Sequence, residues 1–229
     1  MHIDAYDWIL FDADDTLFEF DAYRGLVQMF AHFGLVFSLA DFAAYQQVNQ
    51  ALWRQYQRGE ISATELQQRR FLPYAPALGV TPEMLNHAFL TAMAEICQPL
   101  PGALSLLDRL FGKVKLGLIT NGFTALQQAR LARTGLQQHF AVVIISEEVG
   151  VAKPHPQIFA HALTQMGSPL PARVLMVGDN VEADIGGGLQ AGLQTCWLRS
   201  VEPVAAPSIL PHFQVSSLLE LETRLFTRP

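Results

Sequence analysis

Seven polar residues stand where this sequence could do chemistry. Asp12 and Asp14 follow the apolar run "WILF", Thr120 and Asn121 end "VKLGLITN", Lys153 lies in "GVAKPHP", Asp179 closes "VLMVGD", and Asp184 comes five residues later. In "LFDADDTLF", residues 10 to 18, three aspartates fall within four positions. Two unit charges about 4 Å apart at an effective dielectric near 20 repel by about 4 kcal/mol. Asp12, Asp14 and Asp179 therefore cannot all stay ionised side by side without compensation. A shared proton is one answer. A hard divalent cation suits better, because Mg2+ takes one or two protein carboxylates, keeps several waters and engages phosphate oxygens.

The remaining residues supply the opposite polarity. The Thr120 hydroxyl and the backbone N–H groups of Asn121 and Gly122, at a strand end leading into a helix, make an anion site of the helix-N-terminus kind, and Gly122 lets the backbone come close. Lys153, one of three lysines in the chain, adds a cation. Taken singly, each residue has a plainer use as a turn, cap or solvated loop residue. Together, acids that hold a metal and donors that hold an oxyanion describe phosphoryl transfer.

Positioning them requires a sheet. Five short apolar runs, "WILFD" (8–12), "VKLGLIT" (114–120), "VVIIS" (142–146), "VLMVGD" (174–179) and "TCWLR" (195–199), alternate in the later chain with helical patterns such as "TALQQARLART" and "HPQIFAHALTQM". Continuously apolar strands alternating with helices predict a parallel sheet covered on both faces. "FQVSS" and the amphipathic "LLELETRLF" would complete a doubly wound, Rossmann-like α/β fold. In such sheets ligands bind beyond the carboxyl ends of the strands, where the polar residues above fall. Residues 18–98 break the alternation. They carry no strand-like run, and breaks at Gly34/Ser38, Gly59/Ser62 and Gly79/Thr81-Pro82 divide them into four predicted helices. The expected organisation is an α/β core of residues 1–16 and 99–229 with a helical cap at 17–98.

Composition sets the outer bounds. With 229 residues, 50% of them hydrophobic, the chain can bury a substantial core. Its formal net charge is −6 and its basic residues are scattered, so neither nucleic acid nor a membrane surface is an expected partner. No apolar run reaches membrane-spanning length and the N-terminus lacks a signal-peptide pattern, which predicts a cytoplasmic protein. Cys97 and Cys196 have no metal-binding or redox spacing and are expected as buried, reduced thiols.

"DADDT" fits the DxDxT motif of the haloacid-dehalogenase superfamily, and "LITNG", "VAKP" and "GDNVEAD" fit its second, third and fourth motifs in order. The chain resembles that superfamily over nearly its whole length, and the insertion resembles its small helical cap of the first type. The resemblance implies Asp12 as a nucleophile that becomes an aspartyl-phosphate and Asp14 as the acid, then base, for the leaving alcohol and the attacking water. It implies Mg2+ held by Asp12, the Asp14 backbone carbonyl and Asp179, and phosphoryl oxygens bound by Thr120, Asn121 and Lys153. Asp184 would order Lys153 or a metal water, and Asp15 has no implied role. Dehalogenases of the superfamily lack an acid at the Asp14 position, so its presence implies a phosphatase.

The substrate rests on the same kind of argument. Phe42, Tyr45, Asn49, Trp53 and Tyr56 recur at helical spacing, first of all as a buried face. Rings can also stack on a base, and Asn49 would read its edge if it faced the cleft. "AMAEIC", "ITNGFT", "ISEEVGVAKP" and "RVLMVGD" resemble the bacterial pyrimidine 5′-nucleotidases of the superfamily. That resemblance implies uridine and thymidine monophosphates and their deoxy relatives as small-molecule substrates, for a monomer or homodimer. Sugar-phosphate or phosphoglycolate hydrolysis is the alternative, and a non-catalytic ligand sensor a remote one.

Overall fold

The computed structural model describes residues 1–199 and 209–227; the stretches 200–208 and 228–229 of the expected core lie outside the described residues. The chain divides into two compact units, one of residues 1–19, 98–121 and 134–229, the other of residues 20–97 and 122–133.

The first unit is built on a six-stranded sheet: β1 (Trp8–Phe11), β2 (Lys115–Thr120), β3 (Val142–Ile145), β4 (Val174–Gly178), β5 (Gln194–Leu198) and β6 (Phe213–Val215). Their order is β3-β2-β1-β4-β5-β6, and every adjacent pair is parallel. All residues of β1 and β4 are buried, as strands covered on both faces must be. On one face Trp8, Leu10, Ile119, Ile144, Val174 and Met176 pack against Ile158, Phe159 and Ala162 of the helix Pro156–Gln165. Strand order reverses between β1 and β4, the switch point at which doubly wound sheets bind ligands. Asp12 and Asp179 leave the sheet there, on strands in register at Phe11 and Val177. The helix Ala103–Leu110, not expected from the sequence, precedes β2.

The second unit is helical. Ser38 and Ser62 cap the helices Leu39–Gln57 and Ala63–Arg69 with reciprocal capping boxes to Asp41 and Glu65, and Thr81 caps Pro82–Ile96. Four helices were expected in residues 18–98 and the structure has five, because the third divides into Ala63–Arg69 and Ala75–Leu78. Pro73 is the cause: it has no N–H to donate and disfavours helical backbone at Leu72. Buried Arg70 lies at this break, its guanidinium about 5 Å from the ring centroids of Phe71, Phe89 and Phe123, and donates to Asn86. Cys97 is half-buried, short of the burial expected for it; Cys196 is buried, and neither forms a disulfide.

Candidate active site

The loop leaving β1 folds back at once. Asp12 N–H donates to the Val177 carbonyl at 2.9 Å, and Leu17 and Phe18 N–H both donate to the Ala13 carbonyl. This turn places Asp15 in the left-handed region, φ 56°, and buries Thr16, whose hydroxyl lies 3.4 Å from Asp179 Oδ1. Asp12 is buried, Asp14 half-buried and Asp15 exposed.

Lys153 is 1% exposed. Its Nζ donates to Asp12 Oδ1 at 2.5 Å, Asp184 Oδ1 at 2.6 Å and the Ile119 carbonyl at 2.8 Å. An ammonium has three hydrogens, so all of them are engaged, and a phosphoryl oxygen would have to replace one of these acceptors. Burial alone would lower the Lys153 pKa, but the carboxylates of Asp12 and Asp184 outweigh it and hold the ammonium charged, above the ordinary lysine value.

Carboxylate oxygens of Asp12, Asp179 and Asp184 lie within 4.8 Å of one another. Burial pushes Asp12 well above the usual carboxylate range; Lys153 opposes this, while Asp184 and Asp179 reinforce it. Burial, then Asp184 and Asp15, push Asp179 up to about 7. With all three ionised, one ammonium would leave two negative charges uncompensated. A hard divalent cation fits that donor set in both ligand type and charge.

Asp184 is the least available of the three. Its Oδ1 takes Lys153 and its Oδ2 accepts the Asn180 N–H at 3.0 Å. Gly178 makes this possible, since a Cβ there would overlap the Asp184 carboxylate. The Asp14 side chain is not one of these three carboxylates; the expectation for Asp14 concerned its backbone carbonyl. Thr120, 1% exposed, ends β2. The Asn121 side chain is occupied: Nδ2 donates to the Lys153 carbonyl at 2.9 Å and Oδ1 accepts the Lys153 N–H at 2.7 Å. It clamps the Lys153 backbone; the anion site expected from the sequence used the Asn121 backbone N–H, not this side chain.

Two supporting residues had no expectation attached. Trp197, beside Gly178 in the sheet, donates its indole N–H to the Asp179 carbonyl at 2.8 Å. Asn180 accepts the Glu182 and Ala183 N–H groups and so caps the turn that carries Asp184. A local pattern could have flagged Asn180 as a cap; nothing near Trp197 in the sequence points to Asp179.

Comparison with known proteins bears on this geometry. The haloacid dehalogenase-like hydrolase family model matches residues 6–192. The chain is 54% identical over 220 residues to pyrimidine 5′-nucleotidase YjjG of Escherichia coli (strain K12), covering 96% of this chain and 98% of that protein. It is 33% identical over 225 residues to pyrimidine 5′-nucleotidase PynA of Streptococcus pneumoniae, covering 94% and 93%. The structure of the Bacillus subtilis HAD-hydrolase YfnB bound to magnesium matches with a TM-score of 0.82 at 29% identity, over 96% of this chain and 98% of that one.

Proposed function

The chain belongs to the haloacid dehalogenase-like hydrolases, and from that premise we propose that it hydrolyses pyrimidine nucleoside 5′-monophosphates such as UMP, dUMP and dTMP to nucleoside and phosphate. The observation that carries the substrate is the likeness, over nearly the whole of both chains, to the E. coli pyrimidine 5′-nucleotidase. The observation that carries the chemistry is Asp12, buried and ion-paired at 2.5 Å to Lys153, beside Asp179.

In this proposal the Asp12 carboxylate attacks phosphorus and forms an aspartyl-phosphate as the P–O5′ bond breaks. Asp14, two residues on and half-buried, gives its proton to the departing 5′-oxygen. It then takes a proton from the water that attacks the aspartyl-phosphate, which restores Asp12 and releases phosphate. Thr120 and the Asn121 N–H hold phosphoryl oxygens at the end of β2, while Lys153 opposes the protonation that burial favours at Asp12 and aims its carboxylate. Asp184 and Asn121 fix Lys153 from both sides. Asp12, the Asp14 carbonyl and Asp179 would hold Mg2+, which when bound supplies positive charge to the phosphoryl oxygens. Residues 17–98 would act as the cap that selects the ester, in a cytoplasmic enzyme working as a monomer or homodimer.

The test is phosphate release with and without Mg2+ across pyrimidine and purine monophosphates, sugar phosphates, phosphoglycolate and p-nitrophenyl phosphate. Uridine and thymidine monophosphates are expected to lead by tenfold or more in kcat/KM, about 1.4 kcal/mol of transition-state discrimination per tenfold. A sugar phosphate in the lead would leave the chemistry standing and remove the substrate.

A further inference from the structure

One amide of the helical unit has no use in these steps. Gln127 is wholly buried, 0% exposed, and neither its Nε2 nor its Oε1 has a hydrogen-bond partner. Buried polar side chains are almost always paired, so such a group asks for an explanation. The unit's other buried amide shows the ordinary condition: Asn86 accepts from Arg70 and donates to Gln67 at 2.7 Å.

The helix Thr124–Thr134 sets where Gln127 points. Gln127 N–H donates to the Phe123 carbonyl at 3.1 Å, so Gln127 sits one helical turn beyond Phe123. That ring meets Trp53 at 5.5 Å between centroids. Trp53 lies one turn beyond Asn49 on the helix Leu39–Gln57, and Asn49 Oδ1 is also buried without a partner. Each of two rings in contact thus has, one turn along the chain, an amide with a buried, unpartnered atom, all within one unit.

We propose that Gln127 and Asn49 read the edge of the pyrimidine while Trp53 and Phe123 stack on its face; this rests on the nucleotidase reading above. Uracil and thymine present a ring N–H between two carbonyl oxygens. A carboxamide presents one acceptor and an NH2 donor in a single plane, so it pairs with that edge through two hydrogen bonds. Stacking accepts any base; the amides are what discriminate, because a site built to hydrogen-bond strongly rejects a ligand that leaves its polar groups unpaired. Asn49 and Trp53 are only half-buried, so the base enters from their side and parts the Trp53–Phe123 contact to reach Gln127. Phe123 follows Thr120 by three residues, a span of chain of at most about 11 Å.

The test compares kcat/KM for uridine 5′-monophosphate with that for ribose 5-phosphate in wild type, Gln127→Leu and Asn49→Leu, with Tm measured alongside. The expected result is a fall in the nucleotide-to-sugar ratio of tenfold or more in each variant, with Tm of Gln127→Leu held or raised because the unpaired amide is gone. A ratio unchanged from wild type, whatever happens to Tm, would make the amides structural and overturn the assignment. Equal losses on both esters would overturn it as well, since the amides would then serve the phosphate end. If Gln127→Leu does not fold, Asn49→Leu decides by the same ratio. A wild-type enzyme that fails to prefer the nucleotide over ribose 5-phosphate refutes the nucleotidase reading itself, and that result is visible before any variant is made.

Discussion

Replacing Lys153 by Met keeps an unbranched side chain of similar length and removes the ammonium. Asp12 and Asp184 then face each other with no cation between them, their oxygens within the 4.8 Å that bounds the cluster. At that separation and an effective dielectric near 20, two carboxylates repel by about 3.5 kcal/mol. At 1.36 kcal/mol per factor of ten, that is about 300-fold against an ionised Asp12. Burial already drives Asp12 in the same direction, so the folded variant holds Asp12 protonated, and a carboxylic acid is a poor nucleophile. The expected result is a loss of a few hundred-fold or more in kcat that added Mg2+ does not restore. Stability follows the same charges. Removing one partner of a buried ion pair costs about 3–5 kcal/mol, and proton uptake by Asp12 relieves part of it. The folded-state pKa of Asp12 lies above its unfolded value, so the folded variant binds the extra proton and gains stability as pH falls towards the unfolded value of about 4. Steady-state phosphate release and thermal unfolding, at mildly acidic and mildly alkaline pH, measure both effects. Turnover within tenfold of wild type, or a Tm deficit that grows as pH falls, would refute the assignment of Lys153 as the group that favours an ionised Asp12.

Three further outcomes follow from the same geometry. Asp14→Asn should lose about 10²–10⁴-fold on nucleotides and much less on p-nitrophenyl phosphate, whose leaving group hardly needs a proton; equal losses on the two esters would count against Asp14 as the acid. In the metal-free protein, Asp179 titrates near 7 against an ordinary value of 3.8, so the folded state holds the extra proton between those values and stability should decline as pH rises through that window. A cation at Asp179 removes this penalty, and the Tm gain on adding Mg2+ should therefore be larger at alkaline than at acidic pH; a gain independent of pH would place the ion elsewhere. Gly178→Ala forces a Cβ into the Asp184 carboxylate, and overpacking of this kind costs about 1–3 kcal/mol. Both Tm and turnover should fall, because Asp184 shifts from Lys153, and a fully active, equally stable variant would show that Asp184 does not need its place.

The strand ends were legible because strands buried on both faces write continuous apolar runs, and the first polar residue after each run is conspicuous. Asp12, Thr120 and Asp179 are all of that kind. The helical break at residues 70–74 was visible in Pro73 but masked by start and stop signals, Ser62 and Gly79, that bracket both of the resulting helices. Gln127 was hidden by its neighbour: Gln127 and Gln128 are adjacent, one buried and one exposed, and only the helix phase separates them. Asn121 was read through its backbone N–H, and the separate use of its side chain was not legible. An amide both donates and accepts, and the partner that uses both functions, Lys153, is 32 residues away.

The charge balance of the site shows most plainly where a sequence stops. Residue types place several acids and one lysine at strand ends, but strand order alone decides which of them meet. Because β2 lies between β1 and β3, Lys153, which follows β3, donates to the Ile119 carbonyl in β2 and to Asp12 after β1. Its ammonium therefore offsets one carboxylate of the three that converge, and with all three ionised two charges would be left. Had β3 lain on the far side of β4, the same residues would have left Asp12 uncompensated. The charge that the proposed divalent cation would meet is thus a property of the order of the strands as much as of the aspartates themselves.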